Sequence, residues 1–504
     1  MRTLKDLILL SLLFPAIGWT QTTAPANGRK IVSEKRICQL NQSKMAELLV
    51  FSPDSRRMAY VARVGGKLAV VVDGKEENSY DGVGGGTLTF SADSQRVAYV
   101  AVIGQKQFVV VDDKGEKPYD GILLGTPIFS PDSRHVAYAA KVEERYFVVV
   151  DGKEEKPYGL IGDRTLIFSP DSRHVAYVVK DRKKLFVVVD GKEGKPYDGI
   201  GEGVIFSPDS QHIAYWAQVR NKQFVVVDGK EGKSYDGIGG GIIFSPDSQR
   251  VAYAAGVGAK KLVVVDGKEG KPYDGIGEGI IFSPDSRRVA YWAGVGEKRF
   301  VVVDGNEDKP YDGVGARTLT FSPDSRRVAY SALTGGRWTF VIDGKDGHSY
   351  DGFGAGPIFS PDSQQIAYVA VANLKQFVVV DGKEGASNDG VIEGSLVFSP
   401  DSRRVAYAAK VGEKWIAVVD GKDEKPYDGI YNLVFSPDSR HAAYHTRAGE
   451  KWTVVLDGKG GKLYDGLPKG SIVVFDAANA LHYIATKQTA QGNYDVYLVE
   501  ETIG

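Results

Sequence analysis

The chain is predicted to be all-β, a β-propeller of twelve four-stranded blades, and three observations predict it. One pattern recurs: Phe, Ser-Pro-Asp-Ser, two polar residues, then an apolar-Ala-Tyr triplet. Its phenylalanines are Phe51, Phe90, Phe129, Phe168, Phe206, Phe244, Phe282, Phe321, Phe359, Phe398 and Phe435, with a worn twelfth copy from Phe475, at spacings of 37–40 residues. A fixed period of that size marks a solenoid, a propeller or an array. Each period also divides into four short apolar runs separated by turn residues. The middle runs are apolar on both faces, as small sheets stacked face to face require. A parallel β-helix would have shorter repeats, and the turn residues in nearly every period exclude helical repeats.

Residues 276–313 illustrate the four strands in order. Gly279-Ile280-Ile281-Phe282 is the first, stopped by Ser283-Pro284-Asp285-Ser286. Proline suits the second position of a tight turn, and Asp and Ser bond neighbouring backbone amides. Val289-Ala290-Tyr291-Trp292-Ala293 is the second strand, with the small Ala290 admitting a neighbouring sheet and Tyr291 and Phe282 filling the gap. Phe300-Val301-Val302-Val303 is the third, ended by the Asp304-Gly305 turn. Lys309-Pro310-Tyr311-Asp312-Gly313 is expected as the fourth and outermost, since proline cannot donate to a ladder.

The twelfth copy supplies three strands, over 472–475, 482–486 and 494–499, and Lys30 to Leu40 has strand character. The two ends of the chain are therefore expected to share a blade, so that residues 30–504 form one repeat region closed by strand 30–40, which removes exposed sheet edges. One large closed ring is favoured, because no residue marks a break between the sixth and seventh copies. The alternative is two six-bladed propellers in tandem. Residues 1–18 read as a signal peptide: Arg2 and Lys5 precede an apolar stretch ending near Ala16-Ile17-Gly18. Residues 19–29 are expected to be a flexible mature N-terminus. The apolar stretch is well short of the roughly 20 residues that span a bilayer, so the expected location is periplasmic or secreted, not membrane-spanning.

Lys and Arg number 63 against 64 Asp and Glu. With no basic excess to neutralise phosphates, nucleic acid is not an expected partner. Cys38 is the only cysteine, so no intrachain disulfide forms, and a half-buried strand position is its expected place.

The repeat Phe-Ser-Pro-Asp-Ser, two polar residues, apolar-Ala-Tyr, then Val-Val-Asp-Gly closely resembles the WD40-like (PD40) repeat of TolB-type propellers, over residues 46 to about 500. The resemblance implies the propeller fold. It leaves activity open, since the family includes periplasmic scaffolds and propellers attached to peptidases and lyases. Two departures stand out. The family usually has Gly where this chain has Ser55, Ser94, Ser133 and their equivalents, and the short stretch before the first repeat leaves no room for the small N-terminal α/β domain of TolB.

Enzyme signatures are absent: no Gly-x-Ser-x-Gly elbow, no His-Glu-x-x-His helix and no P-loop. The recurrent Asp-Gly-Lys-Glu-Gly lacks oxygen ligands at alternate positions and reads as a hairpin turn, so no metal and no cofactor is expected. His135, His174, His212 and His441 share one slot with Arg57, Arg96 and Arg288, which is read as exposed. His445 differs, since it follows Tyr444 in a slot usually held by Val or Ala. The two recurrent turns lie at one end of each sheet, and connections at the other end vary freely, among them Val219-Arg220-Asn221 and Leu333 to Arg337. Trp216 and Trp292 also follow repeat tyrosines. Variable aromatic positions on a rigid scaffold suit partner recognition. Trp216, Trp292 and His445 are therefore the candidate ligand-binding residues, whereas Trp338, Trp415 and Trp452 are expected to pack between blades. The expected function is an exported, non-catalytic scaffold binding a cell-envelope protein, peptide or glycan through its variable loop face. The alternatives are a lyase or hydrolase with a site over the central opening and a structural envelope component.

Overall fold

Each period folds into one small antiparallel sheet, and twelve such sheets follow one another along the chain. The structure is a computed structural model that describes residues 28–41, 49–201, 203–277 and 279–504. The expected signal peptide, and the stretch 19–29 up to residue 27, lie outside the described residues. Among the described residues no helix is long and apolar enough to cross a membrane.

In the seventh repeat Val289–Val295 and Lys298–Val303 form the central hairpin, with Tyr291 opposite Val302 and Ala290 opposite Val303. Alternation along these strands sends Tyr291 to one face and Ala290 and Trp292 to the other. Tyr291 packs against Ala252, Ala254 and Val263 of the sixth repeat. Ala290 receives Tyr330, Phe321 and Val328 of the eighth. A tyrosine set against the alanine face of the preceding sheet is thus the unit of packing.

The chain divides into two compact units. One holds the described residues up to Glu77 with Leu374–Phe377 and Gly385–Gly504; the other holds Asn78–Asn373 and Val378–Glu384. Within the second unit the same packing links every consecutive pair from the second to the eighth repeat. Two six-bladed propellers in tandem would require a break after the sixth repeat. Instead the Asp247 amide donates to Ser286 Oγ at 2.8 Å across that junction, over a shared apolar cluster. The tandem alternative is therefore corrected.

The fourth strand also needs correction. Its paired part is Asn306–Glu307, directly after the Asp-Gly turn, and Tyr311 adds a single bridge to Arg299. Asp312 already donates its amide to Leu333 of the eighth repeat, and Gly313–Val314 pairs there. Proline lies between the two pairing points, where no ladder bond is asked of it. The strand runs unbroken over Lys75–Tyr80 and Lys345–Tyr350, where serine stands in place of proline, yet breaks after Lys230–Glu231, where Ser234 does too, so proline is one cause of the break and not the sole one.

In the first unit Lys30–Leu40 pairs antiparallel with Tyr494–Thr502, followed in the sheet by Ala480–Gln488 and Val474–Ala477. Arg29 belongs to this closure and not to a flexible tail. It is buried, ion-paired to the buried Glu501, and donates to the carbonyls of Val454 at 3.1 Å and Lys459 at 3.2 Å. Cys38 is buried here, its Sγ 3.6 Å from Met58 Sδ, and burial pushes its thiol up to about 12. The thiol is inert at neutral pH.

Truncating Tyr291, 4 % exposed, is expected to cost roughly 3–5 kcal/mol. Arg288→Ala is expected to cost about 1–2 kcal/mol, more than an exposed position would, because its guanidinium is tied into the next repeat as described below. Urea denaturation of the two variants measures both losses, and a Tyr291 loss no larger than that of Arg288 would contradict the sheet facing.

Candidate functional site

At the turn end of each sheet the polar groups engage one another. Ser283 Oγ donates to Asp285 Oδ1 at 2.6 Å and accepts from the Arg288 amide at 2.9 Å. These bonds, with one from the Arg287 amide, hold the Asp285 carboxyl below the usual carboxylate range. The Asp285 amide donates to Ser325 Oγ of the next repeat at 2.9 Å. Ser325 and its equivalent Ser286 both have φ of +67°. Glycine satisfies that left-handed backbone at less cost, but only serine adds the hydroxyl that joins the sheets. This accounts for serine where similar repeats carry glycine.

The second polar slot is not free surface, a further correction. Arg288 donates to Asp304 at 3.0 Å and to the Arg326 carbonyl of the next repeat at 3.2 Å, and lies 5.3 Å from the Phe321 ring centre. His135, His174, His212 and His441 meet the corresponding aspartates at 2.6–2.7 Å. The clefts between repeats at this end, such as the one lined by Arg404, Asp420, Glu424 and Arg440, are likewise bonded internally. Arg404 holds Asp420, and Tyr444 donates to Glu424 at 2.7 Å.

At the hairpin end one linkage recurs, although Gly159 replaces its aspartate in one repeat and Arg337 its lysine in another. Asp312 accepts from Lys298 at 2.6 Å and from the Gly335 amide at 2.8 Å, and both lower its pKa. Around it the side chains differ from repeat to repeat. Val219, Val257 and Val295, on three consecutive repeats, are 43–48 % exposed.

Trp216, Trp292 and His445 lie in the middle of second strands, not on hairpins. Each indole covers a glycine of its own sheet. A Cβ at Gly201 would stand 2.0 Å from Trp216 Nε1, and one at Gly277 1.7 Å from Trp292 Cε2. Both tryptophans are half-buried against apolar clusters with the neighbouring sheet, so they are packing residues with a partly open face. His445 is 3 % exposed, its ring edge-on to Tyr483 at 6.3 Å. Burial lowers its pKa to about 3, so it is neutral throughout the physiological range.

His445 is nevertheless not isolated. Tyr431 stands directly opposite it on the first strand, where Gly201, Gly277 and Gly315 stand in other repeats. Its phenol curls back over Gly429, which pairs with Arg447, and its ring lies 5.5 Å from Trp452 at a 36° tilt. Trp452 pairs with Arg447 from the other side. Residues paired directly across strands share a face, and His445 and Arg447 are two apart on one strand. Tyr431, His445, Arg447 and Trp452 therefore occupy one face of one sheet. Buried His445 Nε2 and Arg447 Nε both lack a hydrogen-bond partner. Of the four, only His445 was a candidate site residue from sequence; Trp452 was expected to pack between blades, and it does pack against the cluster with Tyr464 and Tyr483. The missed signal was Tyr431 in a slot held mostly by glycine, in a repeat whose first-strand stretch is at least one residue shorter than in the others. Among the described residues no group of three or more His, Cys, Asp or Glu is placed to hold a metal ion.

No protein-family model and no curated protein matches the chain. Among solved structures it is similar to a eukaryotic initiation factor, at 12 % identity over 64 % of this chain and 96 % of that one, with a TM-score of 0.35. It is also similar to the β-propeller domain of the Trilobed protease from Pyrococcus furiosus, at 16 % identity over 52 % and 94 %, with a TM-score of 0.25. TolB from Acinetobacter baumannii is similar at 13 % identity over 51 % and 77 %, with a TM-score of 0.23. These likenesses say nothing about what this chain binds.

Proposed function

We propose that this chain is an exported, non-catalytic propeller of the TolB-like kind that recognises a protein, peptide or glycan of the cell envelope through the hairpin ends of its sheets. The observation that carries the reading is the contrast between the two ends. At the turn end the Ser and Asp of the recurrent turn, and the Arg or His that follows them, are consumed in most repeats by bonds within and between sheets. At the hairpin end a recurrent Lys-Asp-amide link holds a scaffold on which the remaining side chains vary and aliphatic groups stay exposed. Rigid elements presenting varied loops suit recognition.

The test replaces Val219, Val257 and Val295 by Asp together and measures capture of labelled envelope fractions by the full chain. All three are exposed, so melting is expected to stay within roughly 0.5 kcal/mol per site of the parent, while saturable capture falls at least tenfold. A control at the turn end, Gln211→Glu, is expected to leave capture intact. Capture that survives the triple change but is lost in the control would overturn the assignment of the recognition end.

A further inference from the structure

In a chain of near-copies, a position that departs from its equivalents is the informative one, and the eleventh repeat departs at two positions on one face, Tyr431 and His445. Elsewhere the slot of Tyr431 is held mostly by glycines such as Gly201, Gly239, Gly277 and Gly315, with Leu123 and Ile392 in two repeats, and the slot of His445 by Val or Ala in most repeats and by Trp216, Trp292 and Ser331 in others, never by a second histidine among these. Here a phenol 51 % exposed leans on the half-buried indole of Trp452. Beneath them lie Arg447 Nε and His445 Nε2, both buried, both without a partner in the chain. A buried polar nitrogen left unbonded is a standing cost that requires an explanation, and two on one face beside an open aromatic pair point to a group that comes from outside. Asp428, a carboxylate whose field Arg447 shares, is already held by Lys414 and by the Gly449 amide. It therefore leaves the guanidinium with capacity to spare.

We infer that this face of the eleventh sheet, formed by Tyr431, His445, Arg447 and Trp452, binds an aromatic ring that carries a carboxylate. The ring stacks on Tyr431 and Trp452, where offset aromatic contact is favourable. The carboxylate accepts from Arg447, and from His445 in its Nε2–H tautomer, as charge-assisted bonds. The same chemistry is offered by a free aromatic acid and by the C-terminal phenylalanine of a peptide. The inference goes beyond the general recognition reading and does not need the hairpin-end valines.

The experiment titrates the full chain with 3-phenylpropionate, 3-phenylpropionamide and N-acetyl-Gly-Gly-Phe, using calorimetry and ligand-observed NMR. Saturable binding of a carboxylate, at least tenfold weaker for the amide, is the expected result. Binding is expected to fall at least tenfold in Tyr431→Ala and Arg447→Gln, and to return in part in Arg447→Lys, with melting recorded for each. Tighter binding of the tripeptide assigns a peptide terminus as the natural ligand, and equal or weaker binding assigns a free acid. Absence of saturable binding, equal binding of the amide, or binding unchanged in a folded Tyr431→Ala protein overturns the proposal. The valine-to-Asp protein should bind these probes normally, so failure of the hairpin-end reading and failure of this site are distinguishable.

Discussion

Deleting Lys30–Leu40 is expected to destabilise the protein by at least about 5 kcal/mol, although it removes no repeat of the pattern. The segment buries Cys38 and Leu40 in the cluster with Met58, Tyr60 and Val496, and fully burying an apolar side chain is worth roughly 1.5–3 kcal/mol. It also covers the whole length of Tyr494–Thr502, whose backbone groups would otherwise form an open edge. Its loss detaches Arg29 from Glu501, leaving a carboxylate buried beside Tyr483, and stranding one partner of a buried pair costs roughly 3–5 kcal/mol. Glu34, which takes ion pairs from Lys462 and Lys487, is lost as well. Guanidinium denaturation with light scattering measures the effect: a lowered midpoint accompanied by association is expected. An unchanged midpoint would mean that the N-terminal strand is dispensable.

The second large effect is on acid stability. His445 has a pKa of about 3 when folded against 6.5 in its ordinary state, because burial disfavours the imidazolium. Between those values the unfolded chain binds the additional proton, so stability rises with pH there. The contribution is complete above about pH 6.5 and is lost as pH falls; at pH 4 the loss is about 3 kcal/mol. Exposed aspartates such as Asp285, whose carboxyls are held below 3.8, lose their contributions only below about pH 4. Burial raises Glu424, which acts in the opposite sense, favouring the fold as pH falls toward its ordinary 4.5. His445→Val leaves both untouched. Urea denaturation of the parent and the variant from pH 7 to 4 is expected to show curves that diverge below pH 6.5, the variant being flatter. Parallel curves would rule out His445 as the source.

The sheet architecture was legible because its cause is local. A tyrosine beside an alanine on alternate faces, between β-branched runs and a Ser-Pro-Asp-Ser turn, has one packing solution, and repetition states it many times. Two things were not legible, for different reasons. The break in the fourth strand at Pro310 escapes the sequence reading because proline reads as an edge-strand residue, whereas the chain is unpaired at it, and the strand runs unbroken over Lys75–Tyr80 and Lys345–Tyr350, where serine stands instead. The face carrying His445 was seen only in part. Tyr431, Arg447 and Trp452 are each ordinary residues at ordinary strand positions, and only the register places them opposite one another. Trp216 and Trp292 stood out by residue type, yet their prominence answers to glycines on the adjoining strand that leave room for an indole.

The serine at positive φ has one more consequence. Because the amides of Asp132, Asp171, Asp209, Asp247 and Asp285 are each held by a serine hydroxyl of the following repeat, their protons are guarded by a neighbour rather than by their own turn. Opening one turn alone does not release such a proton; the two sheets must part. Hydrogen–deuterium exchange at these aspartates is therefore a gauge of the gap between successive sheets, one per junction. Read along the chain, it would show at which junction the stack first comes apart.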